Sequence, residues 1–575
     1  MELNLPEELL FPEPQFARKN FYSLNGAWEV SLSGGAWRAV KVPYCIESEL
    51  SGIGECGFVY DLCYRKRFAL PSDMRIGRVF LHFGAVDHRA EVTLNGTLLG
   101  SHSGGYTPFA FEITAALCDG DNLLEVRVHD DVHDQFPSGK QSPREQSFGC
   151  FYTRTTGIWQ SVWLECVPEE YLLGVRYFPN AERGTVRLEV RACTEGDFSA
   201  EITYEGRPMG SCAGWLSYKG EFEIALSEKH LWECGAGRLY RVRLCFGKDE
   251  VFSYFGLRDV RYEGKRFLLN GKSVFQRLVL DQGYYEGGVY TPASDAAFLA
   301  DIRAAMDLGF NGARLHQKVF DPHYLYLCDR LGFMVWGEYP SWGMEYYDLA
   351  GLGTFLSEWK EAMERDCNRP SVVTWCPLNE TWESLSDMRK WRDVRFVDAV
   401  YAFTKALDPT RPCVDVSGGC HGHKTDVADY HCYDGFALLQ ERMCKAMRGE
   451  MDFLKMYCEG DGIAYAGEPQ NLSEFGGVSF GGRRIEQTQC VQEEVAWGYD
   501  SVSDEDSFVQ NYERTIRMLL ACEQLSGFCY TQLYDVEQEE NGLLTYARGA
   551  KFSEDGMRRI REANRMPAAI EASQK

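Results

Sequence analysis

Several things are missing from this 575-residue chain, and each absence narrows what it can be. No run approaches the ~20 apolar residues of a membrane-spanning helix. The opening, MELNLPEELLFPEPQ, has neither the basic start nor the apolar centre of a secretory leader. A cytoplasmic location without a membrane partner is therefore expected. Positive charge is scarce: 60 Lys and Arg stand against 85 Asp and Glu, a net charge of −25. Such a field repels polyanions, so nucleic acid is not expected as a partner. No glycine-rich dinucleotide loop follows any strand-like segment, which argues against a doubly wound cofactor-binding sheet. No cysteine/histidine cluster has metal-site spacing, so neither a metal nor another cofactor is expected. Cysteine itself is plentiful at 21 residues, but the number is odd and no CxxC pair occurs. Without a leader these are read as reduced thiols serving as small apolar residues.

What is present changes texture twice. Residues 1–168 read as short alternating strands separated by turns, among them AWEVSL, RVFLHFG, AEVTLNG, NLLEVRVHD and QSVWLECV. Alternation of this kind predicts an antiparallel β-sandwich, and Asn95-Gly96 is a hairpin turn signal. Residues 169–262 contain GTVRLEVRA, SAEITYEG, GEFEIALS and YRVRLCFG, a spacing suited to an immunoglobulin-like sandwich. Residues 263–575 alternate strand with helix. Ser294 is placed to cap a helix over DAAFLADIRAAMDLG, and a second helix is expected near 321–331. Eight strand candidates (273–280, 311–316, 333–338, 371–380, 412–418, 427–432, 471–476 and 527–533) predict a (β/α)8 TIM barrel.

A barrel of this type gathers its chemistry at the C-terminal ends of the strands. There the sequence places Asn379-Glu380, Glu474, Glu338, Arg314, His316, Asp429 and His431. Carboxylates at the ends of apolar strands are costly to bury unless paired or used. Two of them facing one pocket are what glycosidic cleavage requires, one as proton donor and one as nucleophile or base. Aromatic residues cluster at the same ends: Trp336, Trp342, Trp382, Tyr284, Tyr285, Tyr339, Tyr433 and Tyr530. Such rings suit the apolar faces of sugars.

NRPSVVTWCPLNETW and NLSEFGG resemble the acid/base and nucleophile segments of glycoside hydrolase family 2. LNGKSVFQRLVL, FNGARLHQ, YLCDRLGFMVWGE and YTQLYDVEQEENGLLTY resemble further segments of that family's barrel. LNGAWEV, VFLHFGAVDHRAEVTLNGTLLGSHSGGYTPFAFEIT and TTGIWQSVWLE resemble its sugar-binding jelly roll. The resemblance runs through nearly the whole chain in the family's order of jelly roll, immunoglobulin-like domain and barrel. It implies Glu380 as acid/base, Glu474 as nucleophile, Asn379 as partner of the sugar 2-hydroxyl, and Arg314 as the cation that keeps the nucleophile ionised. His316, Glu338, Trp342, Trp382, His431, Tyr433 and Tyr530 are further candidate sugar contacts. The magnesium and sodium ligands of the larger family members do not carry over.

The departures bear on the substrate. Where the family has Ser-His-Tyr-Pro after the arginine, this chain has Leu315-His316-Gln317-Lys318. Where it has Asn-Arg-His-Glu after the first strand, this chain has Leu280-Asp281-Gln282-Gly283. The Asn-x-Lys pair by which β-glucuronidases grip the sugar carboxylate is here Asn541-Gly542-Leu543. Only Lys318 or Arg548 suggests itself as a substitute, whereas Asp281, Asp535 and Glu537 offer acceptors for neutral hydroxyls. The expectation is a retaining, exo-acting β-glycosidase on short glycosides, β-galactosides first, with β-glucuronides, β-galacturonides, β-mannosides and arabinosides as alternatives. A non-catalytic carbohydrate-binding protein on the same fold is the competing class. By analogy with the family, a homo-oligomer is also expected.

Overall fold

A computed structural model describes residues 7–74, 76–347, 349–381, 393–450, 463–480 and 498–572. Near the N-terminus, a four-stranded and a six-stranded antiparallel sheet face one another. Strand Asp121–His129 shows why they do. It buries Asn122, Leu124, Val126 and Val128 and turns the residues between them outward, so one face of the strand packs on the opposite sheet. Val30, Tyr64, Leu81, Phe83, Val92 and Leu164 fill the space between the sheets. Asn95 and Gly96 both have positive φ, 53° and 79°, as the tight hairpin joining Arg89–Leu94 to Thr97–Ser103 requires.

The second sandwich depends on two unusually long strands, Thr185–Tyr204 and Arg207–Ala225. They pair along most of their length, with a register shift between Arg191 and Glu195. At that irregularity the first of them changes its other neighbour, from Leu172–Asn180 to Tyr240–Phe246. A bulge bends a strand and increases its twist. Here it lets one continuous ladder wrap around Val186, Leu188, Ala200, Ile202, Leu216 and Leu244.

The barrel sheet is parallel, with seven regular strands. The first is Gln276–Asp281, the second Gly312–Leu315, the third Met334–Glu338 and the fourth Val372–Cys376. The sixth is Ala428–Cys432, the seventh Gln470–Gly476 and the eighth Leu525–Thr531. The fifth position differs from the sequence expectation. Segment 412–418 forms no regular strand; isolated bridges Trp375–Cys413 and Asn379–Ser417 tie it to the fourth strand and to the turn that follows it. A small antiparallel meander, Val260–Glu263, Arg266–Leu269 and Lys272–Ser273, closes the N-terminal end, where Phe267 and Leu269 pack with Trp232, Leu278 and Trp336.

Helix ends show local rules at work, though not at every end. The helix Pro322–Leu331 has Asp321 accepting from the His323 N–H, Pro322 in its first turn and Gly332 in left-handed conformation after its end. Helix Asp295–Asp307 does start after Ser294, but that hydroxyl makes no capping bond. Eighteen of the described cysteines are free thiols. Cys56 departs from the reduced-thiol expectation, being disulfide-bonded.

Candidate active site

Strand alternation and one bulge build the site. On the second strand Arg314 points inward, and His316 follows two residues later on the same side; on the sixth, Asp429, His431 and then Tyr433 repeat the period. On the seventh strand the ladder to the sixth skips a residue: Tyr430 pairs with Leu472, but His431 pairs with Glu474. The extra residue is Ser473, whose hydroxyl meets Ser417 Oγ at 2.8 Å and donates to Asp429. The bulge thus lets consecutive residues Ser473 and Glu474 both serve the interior. Glu380 lies beyond the fourth strand with φ of 43°, a conformation unfavourable to a non-glycine residue. Its N–H donates to Ser417 O at 2.9 Å, which holds the turn in place.

Arg314, fully buried, is the hub. Its guanidinium donates to Glu338 at 2.5 Å, to Ser473 O at 2.8 Å, to Glu474 Oε1 at 3.1 Å and to Asn379 Oδ1 at 3.2 Å. The second oxygen of Glu474 accepts from the Tyr433 hydroxyl at 2.5 Å. His431 Nδ1 lies 2.6 Å from Glu380 Oε1 and 3.3 Å from Glu474 Oε2, so one ring nitrogen bridges both carboxylates. Its other nitrogen meets Ser417 Oγ at 2.9 Å. One oxygen from each glutamate and a nitrogen of His431 all lie within 4.8 Å of one another. These are ligand types that would also suit a cation, but the bridging imidazole by itself accounts for the closeness of the two carboxylates.

The electrostatics divide the groups. Burial alone would push the Glu474 carboxyl up, but the His431 and Arg314 charges outweigh it and hold it at about 2. Burial opposes protonation of His431, yet Glu474 and Glu380 raise it above the ordinary histidine value. His316 goes the other way. Burial, then the Lys140 ammonium, hold it well below that value, so its ring is neutral. With Nδ1 2.9 Å from Glu338 Oε2 and donating to it, Nε2 becomes an acceptor 3.8 Å from Glu474 Oε1. Burial lifts Glu338 above the ordinary carboxyl value, against the pull of Arg314.

The structure therefore brings Glu380, Glu474, Asn379, Arg314, His316, Glu338, His431 and Tyr433 into one network. Trp342 joins it by donating its indole N–H to Asn379 O at 3.1 Å. Trp382 lies outside the described residues. Four other expected contacts are not drawn in. Asp281 accepts from Tyr324 at 2.8 Å, from the Gly283 N–H at 2.9 Å and from Tyr534. Asp535 is held by Lys551 at 2.6 Å and the Gly542 N–H at 2.8 Å. Glu537 accepts from the Thr153 N–H at 3.1 Å. Tyr530 is buried between Phe475 and Tyr512. In each of the three acids, donors of the protein itself occupy the carboxylate.

Some participants carried no signal in the sequence. A loop of the first sandwich reaches the barrel mouth: the Ser138 and Gly139 N–H groups donate to Trp342 O at 2.8 and 3.1 Å. A Cβ on Gly139 would stand 2.4 Å from Gln317 O, so only glycine permits the approach. Asn379 Nδ2 and Gln317 Nε2 are buried without a hydrogen-bond partner among the described residues, donors left over for a ligand. Tyr499 stacks on Tyr433 with centroids 3.4 Å apart. A cavity of about 1060 Å³ lies elsewhere, among Arg18, Trp163, Tyr171, Arg176 and Glu361 where both sandwiches meet the barrel.

Comparison with known proteins places this geometry. Residues 28–159 match the glycosyl hydrolase 2 galactose-binding domain-like model, and residues 260–510 match the glycosyl hydrolases family 2 TIM barrel domain. A β-galactosidase of Aeromonas hydrophila is 26% identical over 398 residues, covering 64% of this chain and 37% of that protein. A β-glucuronidase of Streptococcus agalactiae is 24% identical over 411 residues, covering 63% of this chain and 67% of that protein. The chain spans little more than a third, 37% and 38%, of the first two curated relatives it matches. Among solved structures, a Dictyoglomus thermophilum β-D-glucuronidase superposes with TM-score 0.76 at 19% identity, covering 95% of this chain and 97% of that one. An Eisenbergiella tayi β-galacturonidase bound to galacturonate gives 0.73 at 20%, covering 96% and 98%. At such identities these likenesses are of fold. With both domain models matched in order and the jelly roll, second sandwich and barrel in place, the chain belongs to glycosyl hydrolase family 2.

Proposed function

We propose that this protein is a retaining β-glycosidase that removes terminal sugars from the non-reducing end of short glycosides, with Glu474 as nucleophile and Glu380 as acid/base. The observation that carries the reading is the placement of a Glu380 oxygen and a Glu474 oxygen within 4.8 Å of each other around His431 Nδ1. Retaining enzymes hold their carboxyl groups about 5–5.5 Å apart, whereas an inverting pair needs roughly 6.5–9.5 Å to admit water.

The division of labour follows from the surroundings. Glu474, kept anionic by His431 and Arg314, attacks the anomeric carbon while Glu380 delivers its proton to the departing oxygen. A covalent glycosyl-enzyme forms, and the aglycone leaves as the alcohol. Glu380, now a carboxylate, takes a proton from water as that water attacks the same carbon. The sugar is released with its original configuration, and Glu380 regains its proton. Asn379 Nδ2, without a hydrogen-bond partner among the described residues, donates to the sugar hydroxyl beside the reacting carbon. Tyr433 steadies Glu474 through its 2.5 Å bond. Exo action is supported by the reach of the first sandwich across the mouth, which walls one side of the cleft.

A Glu474→Gly variant tests the mechanism. Turnover of nitrophenyl β-glycosides should fall at least ~10⁴-fold, and added azide should restore it as the glycosyl azide of inverted configuration. Absence of the azide product would remove Glu474 from the nucleophile role. A non-catalytic sugar-binding protein is the second reading, and the intact Arg314–Glu474–His431–Glu380 assembly weighs against it.

The comparisons name both β-galactosidases and β-glucuronidases, and β-galacturonidases among the solved structures. The cytoplasmic expectation rests on the sequence, and no described helix is long and apolar enough to cross a membrane.

A further inference from the structure

The expectation of a neutral galactoside rested on the missing lysine after Asn541 and on the lack of a replacement. Neither replacement considered from the sequence is free. Lys318 donates to Gly283 O at 2.6 Å and Tyr290 O at 2.9 Å. Arg548 grips Asp301 at 3.1 Å and Tyr284 O at 2.6 Å. Lys551 is bound to Asp535 at 2.6 Å, and Arg314 has every direction filled.

Lys140 is different. It is only 5% exposed, and among the described residues its ammonium has no hydrogen bond and no carboxylate partner. It lies 5.6 Å from the centroid of the Tyr152 ring and 5.7 Å from that of Trp342. Trp342 is tied by its indole N–H to Asn379 O, 3.1 Å away. Tyr152 is tied to Glu539, whose other oxygen accepts from Asn541 Nδ2 at 2.9 Å. The ammonium therefore stands between a ring fixed to the Asn379-Glu380 turn and a ring fixed to the segment where the family lysine is absent. Its backbone is held by the Tyr152 N–H on Lys140 O at 2.9 Å. Its charge is felt at the centre: Lys140 adds to the forces holding Glu474 down and His316 neutral.

A buried cation whose nearest neighbours are ring faces, with no carboxylate at ion-pair distance among the described residues, is underpaired. A neutral hexose would leave it so. The C5 carboxylate of a hexuronic acid would supply the counter-charge, and would itself need one in a cleft that already holds Glu338, Glu380 and Glu474. We propose that Lys140, delivered into the barrel mouth by the first sandwich, pairs with the sugar carboxylate of a β-linked hexuronide and so determines specificity, replacing the barrel lysine this chain lacks. The inference rests on the β-glycosidase reading and changes the expected substrate from a galactoside to a uronide.

The test uses the full-length protein with 4-nitrophenyl β-glucuronide and β-galacturonide against the matching β-glucoside and β-galactoside. Wild type should prefer one uronide over its neutral counterpart by at least ~100-fold in kcat/KM. In Lys140→Met the uronide-to-neutral ratio should fall by about 30–100-fold, the loss of one charge-assisted hydrogen bond, mainly through KM. Lys140→Arg should recover most of it. Calorimetry of free galacturonate and glucuronate on Glu474→Gln, with and without Lys140→Met, gives the same answer without turnover. Efficient hydrolysis of neutral glycosides with no uronide preference in wild type overturns the proposal and leaves the glycosidase reading standing. So does an unchanged ratio in Lys140→Met with a shifted acid limb of the pH profile, which would make Lys140 a tuner of Glu474. If no β-glycoside of either class is cleaved, the glycosidase reading itself fails.

Discussion

Replacing His431 by Asn removes the cation that holds Glu474 ionised, and the structure sets the size of the effect. Nδ1 stands 3.3 Å from Glu474 Oε2. At an effective dielectric of ~20, unit charges at that distance attract by about 5 kcal/mol. The Nδ1–H is shared with Glu380 Oε1, 2.6 Å away, so about half of this, roughly 2 pH units at 1.36 kcal/mol each, is assigned to Glu474. Its pKa should rise from about 2 in wild type to about 4. The assay is the pH dependence of kcat/KM on a nitrophenyl glycoside between about pH 3 and 8, which reports ionisations of the free enzyme. Wild type should show no acid limb from Glu474 in that range, while His431→Asn should show one near pH 4. If the two profiles share one acid limb within about half a unit, the claim that His431 keeps Glu474 ionised is refuted. The same pKa is a stability term. Glu474 lies below its ordinary value near 4.5, so its contribution, roughly 3 kcal/mol, is fully present above pH ~4.5 and lost as pH falls toward 2. His431 is raised, so its share is present below the ordinary histidine value and lost as pH climbs through the raised one.

Glu380→Ala should lose far more kcat on nitrophenol-poor, basic leaving groups such as alkyl glycosides than on dinitrophenyl glycosides, by about 100-fold or more, since only the former need the proton. A flat dependence on leaving-group pKa would remove Glu380 from the acid role. Arg18 clamps Asp249 at 2.8 and 2.9 Å, Glu165 at 3.0 Å and Leu172 O at 2.7 Å, joining the two sandwiches. Arg18→Met strands the buried Asp249 carboxylate and should cost about 3–5 kcal/mol of unfolding free energy by urea titration. A loss under ~1 kcal/mol would show the clamp to be dispensable.

How much of this was legible in the sequence depends on the distance over which each feature is encoded. Strand alternation, the Asn95-Gly96 turn and the helix signals at Asp321, Pro322 and Gly332 act within a few residues, so the sandwich and barrel textures could be read directly. The glutamates were found because each ends a motif contiguous in the chain. Segment 412–418 read as a strand from its apolar run. Its pairing is decided by neighbours in space, which reduce it to two bridges. The roles of Asp281, Asp535 and Glu537 were decided in the same way, since their donors (Tyr324, Tyr534, Lys551 and Thr153) lie outside the local motif. The bulge at Ser473 that turns Glu474 inward is likewise a matter of ladder register.

By itself, the sequence determined two sandwich textures followed by strand–helix alternation and a pair of glutamates at strand ends, because period and turn chemistry are local properties of the chain. Only the tertiary structure decided that one imidazole would hold those glutamates together, that Arg314 would reach four partners at once, and that Lys140, 240 residues before Glu380 in the chain, would sit beside Trp342 with no ion pair among the described residues. The physical reason is that charge acts through space: which carboxylate is ionised, and which cation remains free for a ligand, follow from folded distances of a few ångströms that no local pattern records.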